Sequence, residues 1–185
     1  MAKSTKSKKK VTTKSKSKTR VKPKNKAKPK IKPCLLILCL IIPFVAGALG
    51  SRATDTSVNT WYETINKPSF NPPNWVFAPA WTILYVLMGL SLYLVLNEKK
   101  DFYQKGFATI VFMSQLFLNT IWSFAFFLQQ SPKSALIIIF MLLIAIVLMI
   151  KEFDKINKTA AKLLLPYLAW VSFATILNLA VFLLN

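Results

Sequence analysis

Gln115, Asn119, Trp122 and Phe126 recur at i, i+4, i+7 and i+11, which puts them on one face of a helix. Trp170, Ala174, Leu177 and Asn178 share a face in a later stretch, and Trp81, Tyr85, Met88 and Leu92 in an earlier one. All three stretches are apolar and uncharged. Polar side chains are costly in lipid, so they turn inward or mark a site. Any one stripe is the ordinary pattern of helix-packing glue. Three converging stripes of tryptophan and amide, without charge, fit the binding of a flat apolar ligand. Aromatic stacking adds about 0.5–1.5 kcal/mol beyond area burial, and amides can orient a polar edge. Proton-transfer chemistry does not fit, because no acid/base pair lies in these stretches. The chain has no histidine, which excludes a His-based metal site, a Ser-His-Asp triad and a His-ligated haem. No catalytic residue, no metal and no resident cofactor is expected.

The elements that hold these stripes are organised around Trp61–Leu96, WYETINKPSFNPPNWVFAPAWTILYVLMGLSLYLVL. Its first part carries Trp61, Trp75 and Trp81 among Pro68, Pro72, Pro73 and Pro79. Pro68, Pro72 and Pro73 keep the approach extended, whereas Pro79 is tolerated in the first turns of a helix. From Trp75 to Leu96 there is no charge, over about 20 residues, the thickness of a bilayer core at 1.5 Å per residue. Further apolar runs follow at 106–129, 134–150 and 163–184, the last opened by Pro166. The run at 134–150 is almost pure Ile, Leu, Met and Ala, which predicts lipid contact and little chemistry.

The run at 34–50 is short and has two readings. A basic segment, an apolar stretch and small residues at Ala46-Gly47-Ala48 suit a cleaved signal peptide. Against that, the preceding basic segment is very long, and with Ile31 the run reaches a marginal spanning length. Gly47 and Gly50 offer close helix contact. Cys34 and Cys39 sit on different faces, so a disulfide between them is disfavoured.

Hydrophobic residues make up 54% of the 185, too apolar for an ordinary soluble domain. The net charge of +19 resembles a nucleic-acid signature until it is located. Residues 1–33 hold 15 of the 25 Lys+Arg and none of the 6 Asp+Glu. This tail has no aromatic residue, is expected to be disordered, and is best read as an electrostatic anchor to anionic lipid. Specific nucleic-acid binding is disfavoured without interleaved aromatics or a fold. A single arginine among its basic residues is wrong for an Arg-rich transit peptide.

These features predict an all-α chain: residues 1–33 a tail, and 34–185 an integral membrane bundle of five transmembrane helices if the run at 34–50 spans, with a long polar connection at 51–74. If the N-terminus is cytoplasmic, inside segments hold 22 Lys+Arg and outside segments only Arg52, Lys67 and Lys133. The positive-inside rule therefore predicts a multi-pass protein with its N-terminus inside and its C-terminus outside.

The pattern WY-x4-KP-x3-PP-x-WVF-x-PAWT-x-LY-x2-MG-x3-YLV over Trp61–Val95 resembles the TspO/MBR family, the tryptophan-rich sensory and translocator proteins. So do Gln115-Leu116-x-Leu118-Asn119-x2-Trp122-Ser123, and Pro166-Tyr167-Leu168-Ala169-Trp170-Val171 followed by Ala174-Thr175-x-Leu177-Asn178. Together the blocks cover residues 34–185 in the family's order. The resemblance favours a transmembrane first helix, because the family keeps it. It implies a lid over a ligand pocket, with Trp61, Pro68, Phe70, Pro72, Pro73 and Trp75 in that lid. It implies binding of tetrapyrroles such as protoporphyrin, and in several members of sterols and benzodiazepine-type compounds. The matching pocket positions are Trp81, Tyr85, Asn119, Trp122, Trp170 and Ala174, to which the helical stripe adds Asn178. Some members promote light-dependent porphyrin breakdown, for which Trp81 and Trp170 would be the residues. A homodimer is compatible with this architecture.

Departures from the family pattern narrow these implications. Where the family often has Trp and His, this chain has Phe70, Asn71 and Asn74, so polar contacts from the lid would come from asparagine and haem iron loses its natural donor. The sterol motif of animal members needs Tyr and then Lys/Arg where Leu179 and Leu183 stand here. Cholesterol transport is therefore disfavoured. A ligand-binding sensor or scavenger is the leading expectation. A transporter lacks an intramembrane carboxylate or arginine to couple ions, and a porphyrin-degrading enzyme would depend on light rather than proton transfer.

Overall fold

The computed structural model describes residues 1–2 and 31–185. The expectations for the tail fall almost wholly on residues 3–30, outside the described residues. Among the described residues every regular element is helical, and five helices are long and apolar enough to cross a membrane: Pro33–Asp55, Asn74–Asn97, Phe102–Leu128, Pro132–Ile156 and Lys158–Leu184.

The first span, α1 (Pro33–Asp55), starts with proline at its first position, where the missing N–H is no loss. It runs past Gly50 for a further turn, taking five residues assigned from the sequence to the lid. Backbone hydrogen bonding carries it on, and the hydroxyl residues of this turn fold back onto it: Ser51 Oγ donates to the Ala48 carbonyl at 3.0 Å and Thr54 Oγ1 to that of Gly50 at 3.3 Å. That extension raises the marginal first run to a span of 23 residues. It packs against α3 (Phe77–Asn97) and α4 (Phe102–Ser123), so it is an integral part of the bundle. The closest approach lies at Gly89 of α3, where an added Cβ would fall 2.8 Å from Leu40 Cα and 2.9 Å from the Cys39 carbonyl oxygen. Both cysteines are free, Cys34 exposed and Cys39 buried.

Between α1 and α3 the lid region carries one helical turn, α2 (Trp61–Thr64), and a 3-10 turn over Asn74–Val76. The third span starts at Phe102, four residues before Gly106, because the Asp101 side chain accepts the Tyr103 N–H at 3.1 Å and caps the first turn. It ends in a π-helical turn over Phe124–Leu128, after which Gln130 adopts a left-handed φ of 50° in the tight turn.

The fourth span, α5 (Pro132–Ile156), is capped by Ser131. It continues through Lys151–Ile156, which the sequence assigned to a basic turn. The chain breaks only at Asn157, whose side chain accepts the Thr159 and Ala160 N–H groups at 2.9 and 3.1 Å and starts α6 (Lys158–Leu163). A kink at Leu164 leads into α7 (Leu165–Leu184), with Pro166 in its first turn.

The buried core runs along the α4–α5–α7 side, with Phe112 stacked on Phe153 and Ile139, Leu142, Ile146 and Met149 buried beside them. The opposite face of α5, with Ile137, Phe140, Met141, Ile144 and Leu148, is exposed. No α5 residue lines the main cavity. Lipid is as apolar as such a face, so the spans are held by close packing and internal hydrogen bonds. The basic turns gather at one end: Asn157 Nδ2 donates to Glu98 Oε1 at 2.9 Å, and Lys105 Nζ to the Glu98 carbonyl at 3.3 Å. Lys32 N donates to Tyr93 Oη at 3.1 Å, which brings the start of α1 to that same end. At the other end Asn185 Nδ2 donates to the Asn66 carbonyl at 3.0 Å, and the Asn66 N–H to Asn185 Oδ1 at 3.0 Å, tying the lid region to the C-terminal residue.

Candidate functional site

A cavity of about 590 Å³ lies among α1, α3, α4, α7 and the lid. Four of the five tryptophans belong to spans or their approaches, and the cavity gathers three of them, Trp81, Trp122 and Trp170. Helical periodicity puts each tryptophan on its stripe, and the packing of the helices brings the three stripes to one space. Tyr85, Ala174 and Asn178 also line it.

Ring-to-ring contacts fix the aromatic walls. Trp81 stacks on Tyr85 with centroids 5.5 Å apart and meets the Tyr167 ring edge-on at 6.3 Å. Trp170 meets Phe77 edge-on at 6.0 Å. Trp122 stacks on Phe126 at 5.5 Å, inside the π-helical turn. A π-helical turn adds a residue to the helical circuit and swings side chains round the axis, a device frequent at functional sites. Here Phe126 and Phe127 both line the cavity as a result. Nothing in the sequence singled out this turn or Phe127.

The amides expected to meet a ligand are largely committed to one another. Tyr167 Oη donates to Gln115 Oε1 at 2.8 Å and accepts from Asn119 Nδ2 at 3.4 Å, while Gln115 Nε2 faces Met88 Sδ at 3.7 Å. Gln115, Asn119 and Tyr167 are buried, and none of them lines the cavity. Asn178 does line it, but its Oδ1 accepts the Trp122 indole N–H at 3.0 Å and its Nδ2 donates to the Pro132 carbonyl at 2.9 Å. Asn119 thus sits behind the wall, while Asn178 holds Trp122 in place. Among the described residues, the groups on the spans that have no protein partner include the indole N–H groups of Trp81 and Trp170, the Tyr85 hydroxyl and the Ser123 hydroxyl. All four belong to lining residues and keep accessible surface.

Gly47 and Gly50 of α1 give these side chains room. A Cβ on Gly47 would overlap the Tyr85 ring, and one on Gly50 would lie 3.1 Å from Ser123 Oγ.

The lid region is pinned at several points. Ser57 Oγ donates to the Phe127 carbonyl at 2.7 Å, at the π-helical turn. Tyr62 lines the cavity, packs on Phe126 and Phe127, and donates its hydroxyl to Asn71 Oδ1 at 3.0 Å. Burial pushes the Tyr62 phenol up, with the Asn71 hydrogen bond pulling the other way. Trp61 packs edge-on to Phe126 and Phe70 to Phe173, while Trp75 is exposed. Trp61 and Phe70 thus brace the lid, and none of Trp61, Pro68, Phe70, Pro72, Pro73 and Trp75 lines the cavity. Val58, Asn59, Tyr62 and Asn74 supply its inner surface. Of the two lid asparagines, Asn74 lines the cavity and Asn71 is turned to Tyr62 and the Pro72 carbonyl.

Comparison with known proteins agrees with this architecture. The family model described as the TspO/MBR family matches residues 39–184. The chain is 43% identical over 150 residues to the tryptophan-rich protein TspO of Archaeoglobus fulgidus, covering 81% of this chain and 96% of that one. It is 42% identical over 150 residues to the protein of the same name from Chlorobaculum tepidum, covering 81% and 95%. It is also 34% identical over 142 residues to the human translocator protein, covering 76% and 84%. With five spanning helices around a tryptophan-lined cavity, and these matches across all five, this chain is a multi-pass integral membrane protein that belongs to the TspO/MBR family.

Proposed function

We propose that this protein binds a flat, largely apolar ligand of the tetrapyrrole class in the cavity between its helices and acts as a sensor or scavenger of that ligand. The observation that carries the proposal is the convergence of Trp81, Trp122 and Trp170 on one space of about 590 Å³. That volume falls in the usual range of small-molecule sites, about 300–1,000 Å³. Aromatic faces on α3, α4 and α7 suit a planar ring system, and the unpartnered indole N–H groups of Trp81 and Trp170 suit a few oriented polar contacts. The name of a relative from Cereibacter sphaeroides, a tryptophan-rich sensory protein, points the same way. Ion-coupled transport gains little support from the spans, whose cavity-lining residues include no basic side chain and one carboxylate, Asp55, at the exposed end of α1.

Titration of the purified, detergent-solubilised protein with protoporphyrin, followed by tryptophan fluorescence, tests the proposal. Binding should quench the emission. Trp81→Phe and Trp170→Phe should each weaken affinity by about 0.5–1.5 kcal/mol, the scale of one stacking contact. Unchanged affinity in both variants would place the ligand elsewhere. The same samples under illumination separate binding from breakdown. Consumption of porphyrin, lost in Trp81→Phe and Trp170→Phe beyond their loss of binding, would make the protein an enzyme.

A further inference from the structure

We infer that a second cavity, between the end of α5 and the junction of α6 with α7, binds the headgroup of an anionic phospholipid, with Lys151 and Lys162 on its phosphate. The cavity holds about 540 Å³ and is lined by residues 150–152, 154 and 155 of α5 and by Ala161, Lys162 and Leu165. Ile150, Lys151, Asp154 and Lys155 share one face of α5, at i, i+1, i+4 and i+5, while Met149, Phe153 and Ile156 are buried in the core. Across the cavity the chain that broke at Asn157 returns as the short α6 and bends at Leu164. Ala161, Lys162 and Leu165 come from the two sides of that bend.

Two boundaries meet in this cavity. Along α5, residues 134–150 carry no charge and Lys151 is the first that does. Along the returning chain Lys162 is the last charged residue, and residues 163–185 carry none. Charged side chains stay out of a bilayer core, so both boundaries stand at headgroup level. The lining is correspondingly mixed, with lysines beside the exposed Leu165 and the half-buried Ile150. An amphiphile with a charged head and an apolar chain fits such a lining, and the charges select its head. Lys155 Nζ donates to Glu152 Oε1 at 2.6 Å, which neutralises that pair. Lys151 and Lys162 have no ion pair or hydrogen bond among the described residues, and Asp154 is the remaining carboxylate of the lining. Two lysines minus one carboxylate leave one positive charge, which matches a phosphodiester with a single negative charge. Lys151 and Lys155 are also like charges one turn apart, an arrangement that costs stability until an anion joins them. Basic pockets between spanning helices suit anionic lipid headgroups for these reasons. A free phosphate would bring nearly a second negative charge at neutral pH and leave Ile150 and Leu165 against water.

The full chain in non-ionic detergent is titrated with phosphatidylglycerol, with phosphatidylcholine of the same acyl chains, with glycerol phosphate and with inorganic phosphate. The unfolding midpoint is read at each concentration, because a ligand that binds the folded protein raises it as the site fills. Phosphatidylglycerol should raise the midpoint and the other three should not. In the double variant Lys151→Gln, Lys162→Gln, the phosphatidylglycerol needed for half the effect should rise about five- to thirtyfold, given what a lysine contributes near an anionic surface. The control Lys99→Gln, Lys100→Gln removes the same charge from the other basic turn and should shift it less than about twofold. The basic residues of the tail are present in every sample, so their attraction for lipid cancels. All four substituted lysines are exposed, so both variants should melt like wild type without lipid. Equal shifts in the two double variants, or an equal response to phosphatidylcholine, would reduce the effect to general surface attraction and overturn the site. A midpoint raised as far by glycerol phosphate or inorganic phosphate would overturn the lipid as its occupant.

Discussion

Trp122 and Asn178 join α4 to α7 through a 3.0 Å hydrogen bond from the indole N–H to the amide oxygen, and Asn178 passes the tie on to the Pro132 carbonyl. One amide thus fixes the orientation of a cavity wall and the first turn of α5. The Pro132 carbonyl, in the first turn of α5, takes this side-chain donor in addition to its place in the helix.

Replacing Asn178 with Leu keeps the volume, leaves the Trp122 N–H without its acceptor and removes the side-chain donor to the Pro132 carbonyl. Hydrogen bonds between membrane helices contribute modestly, so the expected loss is about 0.5–2 kcal/mol. Thermal unfolding in detergent should show a lowered midpoint, and Trp122, no longer held, should give a broader emission. Tyr167→Phe should cost a similar amount, since it removes the hydroxyl shared by Gln115 and Asn119. Wild-type melting in both variants would show that the buried network contributes nothing to holding α4 and α7 together.

Three of the four glycines should respond differently to alanine, and the order is a test of the packing. Gly89→Ala drives a methyl into the α1 backbone at Leu40 and Cys39, and should destabilise by about 1–3 kcal/mol. Gly47→Ala meets only the Tyr85 ring, which can swing toward the cavity, so it should lower ligand affinity more than it lowers the melting point. Gly106→Ala meets nothing within 4 Å and lies inside α4, where alanine is the better helix former by about 0.8–1 kcal/mol. It should raise the melting point. An unfolded or strongly destabilised Gly106→Ala would contradict the helix start at Phe102.

Orientation follows from charge. The two basic turns and the start of α1 lie at one end of the bundle, and the lid with Asn185 at the other. The positive-inside rule predicts that the basic end faces the cytoplasm. A reporter fused before Met1 should therefore read as cytoplasmic and one after Asn185 as non-cytoplasmic. Both reporters on one side would contradict an odd number of spans.

The five spans, their order and the three aromatic stripes were determined by the sequence alone, because a bilayer demands uninterrupted apolar runs and the helix repeat aligns Trp122 with Asn119 and Trp170 with Ala174 whatever surrounds them. The extent of each helix was less legible. Ser51–Asp55 and Lys151–Ile156 are polar enough to read as loops, yet backbone hydrogen bonding carries the helices on until Thr56 and Asn157 interrupt them. Which amides face a ligand and which brace the fold was decided only by tertiary structure. Asn119 and Asn178 share the same kind of stripe position, but Tyr167 and Trp122 reach them from neighbouring helices and take up their hydrogen bonds. The π-helical turn at Phe124–Leu128 and the placement of Asp55 at the cavity were likewise invisible along the chain. Both depend on where α1, α4 and the lid meet in space, and residue spacing within any one of them does not encode that meeting.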